Sequence, residues 1–264
     1  MSAEVIGTTD VATSSLARRV DRAVRGPGGA GWVAAILLYP LCLTWFYFVF
    51  LSARPAPWPQ LAFAVGKAVQ FAPALLWLAR VRPDLVRPRG RATGRDVAFG
   101  AAFGLAVAGA LAALFVGWPV DVLGPAAHAT FASAFGAKAT ALGLTTSTRF
   151  IVLALFYALV HSGLEEAYWR GLAYTAVRER VGPRAAVAVA STAFALHHVV
   201  LLVTLMPGQL PLALFLSVCV GVGGAAWCRQ REAARSLLGA WLGHAIVDGA
   251  IFWVGWWVLF GGVG

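Results

Sequence analysis

Three clusters of ionisable side chains lie inside otherwise apolar stretches of the chain: Glu165-Glu166 with Arg170, His197-His198, and His244 with Asp248. Charge is costly in hydrocarbon, so a residue kept there is functional by default. A carboxylate and two imidazoles meeting in one buried layer could hydrolyse a peptide bond by activating water. That chemistry takes a base, a proton shuttle and an oxyanion stabiliser.

Spacing divides the labour among these residues. Glu166 and Arg170 are four apart with the acid N-terminal, the better order for a pair on one helix face. Arg170 can therefore neutralise Glu166. Glu165 sits about 100° further round the helix and is left to face something else. One carboxylate held and one free suits a general base. His161, four before Glu165, could touch it, and by the same rule Phe194 shares a face with His198 and His244 with Asp248. His197 lies off this pattern. The expected role of His161 and His197 is structural, with support for Glu165 as the alternative.

The elements that must position these residues are transmembrane helices. Hydrophobic residues make up 60% of the 264 positions and charged residues 12%, and the mean hydropathy is +0.77, far from soluble norms. The composition predicts an all-α, polytopic helical bundle. Stretches near 31–52, 60–79, 97–118, 149–177, 184–205, 210–228 and 236–260 are long enough to span. The reading is seven spans, with eight as the alternative count. Residues 1–30 read as a polar cytoplasmic segment without a signal-peptide core, and 31–264 as one transmembrane domain. The connection at 119–148 is expected to be an interfacial segment or a lid.

Arginine clusters at 18–25, 80–95, 178–184 and 229–235 fall on one side of the seven spans, which predicts a cytoplasmic N-terminus and an external C-terminus. These runs are short and separated, so the pI near 10.5 does not describe a nucleic-acid-binding face. At a rise of 1.5 Å per residue, His198 is about 21 Å from Arg184, Asp248 about 20 Å and His244 about 14 Å from Arg235, and Glu165 about 20 Å from Arg178. All four fall in one layer near the midplane. Gly239 and Gly243 form a small-xxx-small pair that lets the last span approach a neighbour and present His244. Lys67 is expected to snorkel or to face an aqueous cavity.

Other hydrolytic designs fit poorly. No His is followed by Glu, so the H-E-x-x-H zinc helix is absent. Neither Gly-x-Gly-Asp nor Gly-x-Ser-Gly occurs. Cys42, Cys219 and Cys228 have no metal-site spacing. Zinc remains the competing reading of the site, with Glu165, His198 and His244 as its ligands; the preferred reading has no cofactor.

The chain resembles the CAAX protease and bacteriocin-processing (CPBP, or Abi) family of glutamate-type intramembrane proteases. The resemblance rests on Glu165-Glu166-Ala167-Tyr168-Trp169-Arg170 as E-E-x-x-x-R, Phe194 to His198 as F-x-x-x-H, and His244 to Asp248 as H-x-x-x-N/D, in order on three spans over about 149–260. It implies an intramembrane endopeptidase in which Glu165 and His198 activate water, His244 and Asp248 stabilise the oxyanion, and Glu166 and Arg170 hold their span. Asp248 departs from the Asn of many relatives. An ionised carboxylate donates no hydrogen bond, so Asp248 is expected either to be protonated or to orient His244. The expected partner is a membrane-tethered protein or peptide cut near its C-terminus, and the Ala-, Gly- and Arg-rich composition points to a bacterial plasma membrane. A non-catalytic scaffold or bacteriocin-immunity protein is the alternative class, followed by a proton-coupled transporter, which would also bury Glu, His and Arg.

Overall fold

The computed structural model describes residues 15, 17–22, 26, 29–52, 54–55, 57–87, 91–114 and 125–261, apart from the side chains at 91, 92, 125–128, 130 and 131. Among the described residues there is no strand. The helices are α1 (Ala30–Phe50), α2 (Trp58–Arg80), α3 (Arg91–Ala112), α4 (Pro125–Ala141), α5 (147–181), α6 (183–205), α7 (Leu210–Ala234) and α8 (Leu238–Phe260). Helices α5 and α6 form one helical run, Ser147–Leu205, folded at Gly182, where φ is 76° and ψ is 169°. A side chain is strained at that φ, so glycine makes the break, and Pro183 then starts the next arm with its φ already helical.

Six runs among the described residues are long and apolar enough to cross a membrane. The run Ser147–Leu205 supplies two arms, which gives the seven spans read from the sequence. Leu105, Val152, Phe215, Val218 and Val222 face outward, as lipid-facing residues do and as a soluble surface rarely could over so wide an area. Inside, Trp77, Trp169, Leu172, Tyr174, Phe194 and Trp227 build one continuous core. The protein is an integral membrane helical bundle.

The arginine-rich connections gather at one end. Arg178 Nη2 donates to Glu232 Oε1 at 2.7 Å, and the Leu237 amide donates to the Leu85 carbonyl at 2.9 Å. Parts of the N-terminal segment join them: Trp77 Nε1 donates to Asp21 Oδ1 at 3.1 Å and Arg180 Nη2 to the Gly26 carbonyl at 3.2 Å. At the same end Arg82 donates to Asp84 through Nε and Nη2, and these bonds hold the Asp84 carboxyl below its ordinary range.

The connection expected at 119–148 contains helix α4, and its residues 119–124 lie outside the described residues. Lys138 on α4 rests over the rings of Tyr47 and Phe48 of α1 at 4.7 and 5.0 Å. Phe135 packs so closely on Gly255 of α8 that a Cβ there would lie 2.8 Å from its ring. Helix α4 is thereby fastened to the first and last spans.

Helices α3 and α8 approach through glycine on both sides. A Cβ at Gly100 would overlap the Gly239 carbonyl, and one at Gly104 would stand 2.8 Å from the Gly243 oxygen. Asp96 fixes the register: its Oδ2 accepts the Gly239 amide at 3.0 Å, and its Oδ1 accepts Gln230 Nε2 at 2.8 Å. It supplies from a neighbouring helix the N-terminal cap that Leu237 cannot. This glycine contact is the neighbour that the Gly239/Gly243 pair implied.

Candidate active site

The helix that carries the acidic pair is not regular. In α5 a π-helical segment, Phe156–His161, precedes the α-turn Ser162–Glu166, and a second, Ala167–Ala173, follows it. Such turns insert an extra residue, turn side chains out of the ordinary register, and concentrate at functional sites. Hydroxyls take up carbonyl oxygens nearby: Ser162 Oγ donates to Ala158 at 2.5 Å and Thr175 Oγ1 to Gly171 at 2.6 Å. Glu165 and Glu166 are thus set on a short α-turn between two widened ones, and both are buried.

Glu166 is held from two sides. Arg170 Nη1 lies 3.0 Å from its Oε1, and His244 Nδ1, from α8, lies 2.8 Å from the same oxygen. The Arg170 contact is an ion pair and not a directed hydrogen bond, since Nη1 has no acceptor in line with its N–H. Arg170 is otherwise enclosed by aromatic faces, 4.4 Å from the Phe194 centroid and 5.0 Å from that of Trp227, where a guanidinium gains cation–π attraction. Trp227 also stacks on His244 at 4.6 Å. Gly224 leaves the room this requires, because a Cβ there would come 3.2 Å from Arg170 Nη2.

Glu165 has no hydrogen bond to protein among the described residues, and its neighbours stop just beyond that range. Its Oε2 is 3.8 Å from His244 Nε2. Its Oε1 is 3.8 Å from His197 Nε2 and 3.9 Å from Lys67 Nζ, on α2. Its lone pairs stay free for water or substrate. His244 Nε2 also faces Asp248 Oδ1 at 3.5 Å, so both imidazole nitrogens of His244 have carboxylate neighbours.

On α6, His198 Nδ1 lies 2.9 Å from the Phe194 carbonyl. If Nδ1 carries the proton it donates there, and Nε2 is left as the acceptor. His197 stacks parallel on Trp169 with centroids 5.5 Å apart, and the two histidine rings are 4.2 Å apart. Phe194 makes edge contacts to His198, His197 and His244 at 4.7, 5.4 and 6.1 Å, which gives the aromatic member of F-x-x-x-H a physical role. His161 packs between Tyr157 and Phe71 at 4.6 and 5.6 Å.

Every residue singled out in the sequence therefore lies in or beside one layer, with differences in who touches whom. His197, not His198, comes within 4 Å of Glu165. Glu166 anchors His244 as well as pairing with Arg170. Lys67 points inward at Glu165 and does not snorkel away. Among the described residues no group of three His, Cys, Asp or Glu side chains is arranged to hold a metal ion.

Residues 147–250 match the model of a protein family described as Rce1-like, type II CAAX prenyl endopeptidase. All three motifs lie within the match, so the resemblance to CAAX proteases holds for the segment carrying the site. The activity class that goes with that family is peptide hydrolysis of the CAAX-protease type. Neither curated proteins nor solved structures gave a match.

Proposed function

We propose that the chain is an intramembrane endopeptidase that cuts a membrane-tethered protein or peptide near its C-terminus with water activated by Glu165. The observation that carries this reading is a buried, unbonded Glu165 carboxylate 3.8 Å from His244 Nε2, with the far nitrogen of that imidazole fixed 2.8 Å from Glu166. A base is free, and the imidazole beside it cannot swing.

Glu165 accepts a proton from water, and the hydroxide adds to the scissile carbonyl. His198, with Nε2 unengaged, assists in moving that proton to the leaving amine. His244 and Asp248 face the developing oxyanion. Asp248 serves there in its neutral acid form, because a second carboxylate charge beside Glu165 would oppose the negative oxygen. Orientation of His244 falls to Glu166, which removes the need for Asp248 to do it. The step uses these side chains alone, without a metal; activity after exhaustive chelation tests that clause. The N-terminus is cytoplasmic and the C-terminus external, in a bacterial plasma membrane, with the lipid bilayer and the tethered substrate as partners and no nucleic acid.

The test compares protein C-termini and membrane-released peptides from cells carrying wild type or Glu165→Gln at equal abundance. A precursor left uncut only in the variant supports the protease reading and names its substrate. Identical termini with both proteins folded overturn it in favour of a scaffold or immunity role.

A further inference from the structure

We infer that Lys67 is the counter-ion of Glu165 and holds that carboxylate in the ionised form a general base requires. The inference rests on the reading of Glu165 as the base and adds a residue from α2, outside the segment matched to the family model.

A carboxylate cannot remain charged in an apolar interior unless something balances it. Among the described residues three carboxyl groups share this layer, Glu165 and Glu166 as carboxylates and Asp248 in its neutral acid form, and two side chains of fixed positive charge, Arg170 and Lys67, face them. Arg170 is committed to Glu166 at 3.0 Å and is walled off by Phe194 and Trp227. Among the described residues Lys67 is the fixed cation left for Glu165, at 3.9 Å. Among the described residues the other titratable groups facing Glu165 are Tyr157, His161, His197, His198, His244 and Asp248. None of these is a fixed positive charge.

Local packing keeps the ammonium there. Lys67 Nζ lies 5.1 Å from the Phe71 centroid and 5.5 Å from that of Phe63, so two rings on its own helix hold the cation at cation–π range. Phe71 in turn packs on His161 and Tyr168 of α5, which couples the position of α2 to the acidic turn. At 3.9 Å the pair attracts without a hydrogen bond, so the Glu165 lone pairs stay open to water. Lys67 is accordingly a positioning residue. It acts on the reaction through Glu165.

Dicyclohexylcarbodiimide, which reacts with protonated carboxyls in apolar surroundings, reads this directly and needs no substrate. The full-length protein in lipid nanodiscs is labelled across a pH series, and peptide sequencing by mass spectrometry separates the adduct on Glu165 from those on Glu166 and Asp248. In Lys67→Met the pH midpoint for labelling Glu165 should move upward by about 1 to 3 units, the effect of one opposite charge at this range. Lys67→Arg should restore the wild-type midpoint. Lys67→Gln, which keeps a polar chain of similar length, carries the test if the Met variant does not fold. Equal midpoints in wild type and the neutral variants overturn the inference. Labelling is independent of cleavage, so a protein that hydrolyses nothing leaves this result standing on its own.

Discussion

Glu166 Oε1 lies 2.8 Å from His244 Nδ1, joining the acidic turn of the fourth span to the last span across 78 positions of sequence. The same oxygen faces Arg170 at 3.0 Å. One carboxylate atom therefore fixes a guanidinium on its own helix and an imidazole on another. Replacement of Glu166 by Ala strands a buried charge and frees His244, a loss of about 3 to 5 kcal/mol for a broken buried pair. The melting temperature in detergent should fall by roughly 6 to 20 °C. Glu166→Gln retains an acceptor for His244 and should fall less. Equal melting of Ala variant and wild type would contradict this role.

The two adjacent histidines of α6 should separate in kinetics. His198 has one ring nitrogen at the Phe194 carbonyl and the other unengaged, as a proton shuttle needs, whereas His197 is stacked on Trp169. His198→Gln should lower the cleavage rate by about 10² to 10⁴-fold, the usual contribution of a general acid or base, with little change in melting. His197→Gln should cost less in rate and more in stability. The reverse order would move the shuttle to His197, whose Nε2 is nearer Glu165.

For Asp248 the expected outcome is tolerance. Asn retains a hydrogen-bond donor toward His244 Nε2 and the oxyanion, as a protonated Asp does. Asp248→Asn should keep most of the wild-type kcat/KM, and Asp248→Leu should lose it. Complete loss in a folded Asn variant would mean that the negative charge itself is used.

The glycine seam between α3 and α8 makes a prediction far from any titratable group. Gly100→Ala drives a methyl into the Gly239 carbonyl, an overpacking that costs about 1 to 3 kcal/mol, and should lower both melting temperature and activity by shifting His244. Gly109 on the same helix meets nothing within 4 Å, so Gly109→Ala should be neutral or slightly stabilising. Similar losses in both variants would show that helix composition, and not the seam, is at issue.

These relationships also mark how far the sequence could be read. The seven spans and the common depth of Glu165, His198, His244 and Asp248 follow from hydropathy and helical rise, because both depend on local order. Gly239 and Gly243 announced a close approach, yet nothing in their spacing named Gly100 and Gly104 as the opposite face. The Glu166–His244 bond was out of reach because i, i+4 reasoning sees only one helix. Two π segments around the acidic turn then altered the register that such reasoning assumes. For Lys67 the sequence predicts snorkelling or an aqueous cavity; only the packing of α2 against α5 reveals Glu165 beside it. The choice between His197 and His198 turned on one step of helical rotation. Helix α4 was hidden because its Ala- and Thr-rich sequence has no strong apolar face.

The most direct test of the account is hydrolysis by the purified full-length protein in nanodiscs of the precursor that accumulates in Glu165→Gln cells, run in ¹⁸O-labelled water. Wild type should release a product whose new C-terminal carboxyl carries one ¹⁸O atom from solvent, and Glu165→Gln at equal folding should release none. Equal cleavage by the two proteins, or none by the wild type on that precursor, would contradict Glu165-activated water as the chemistry of this site.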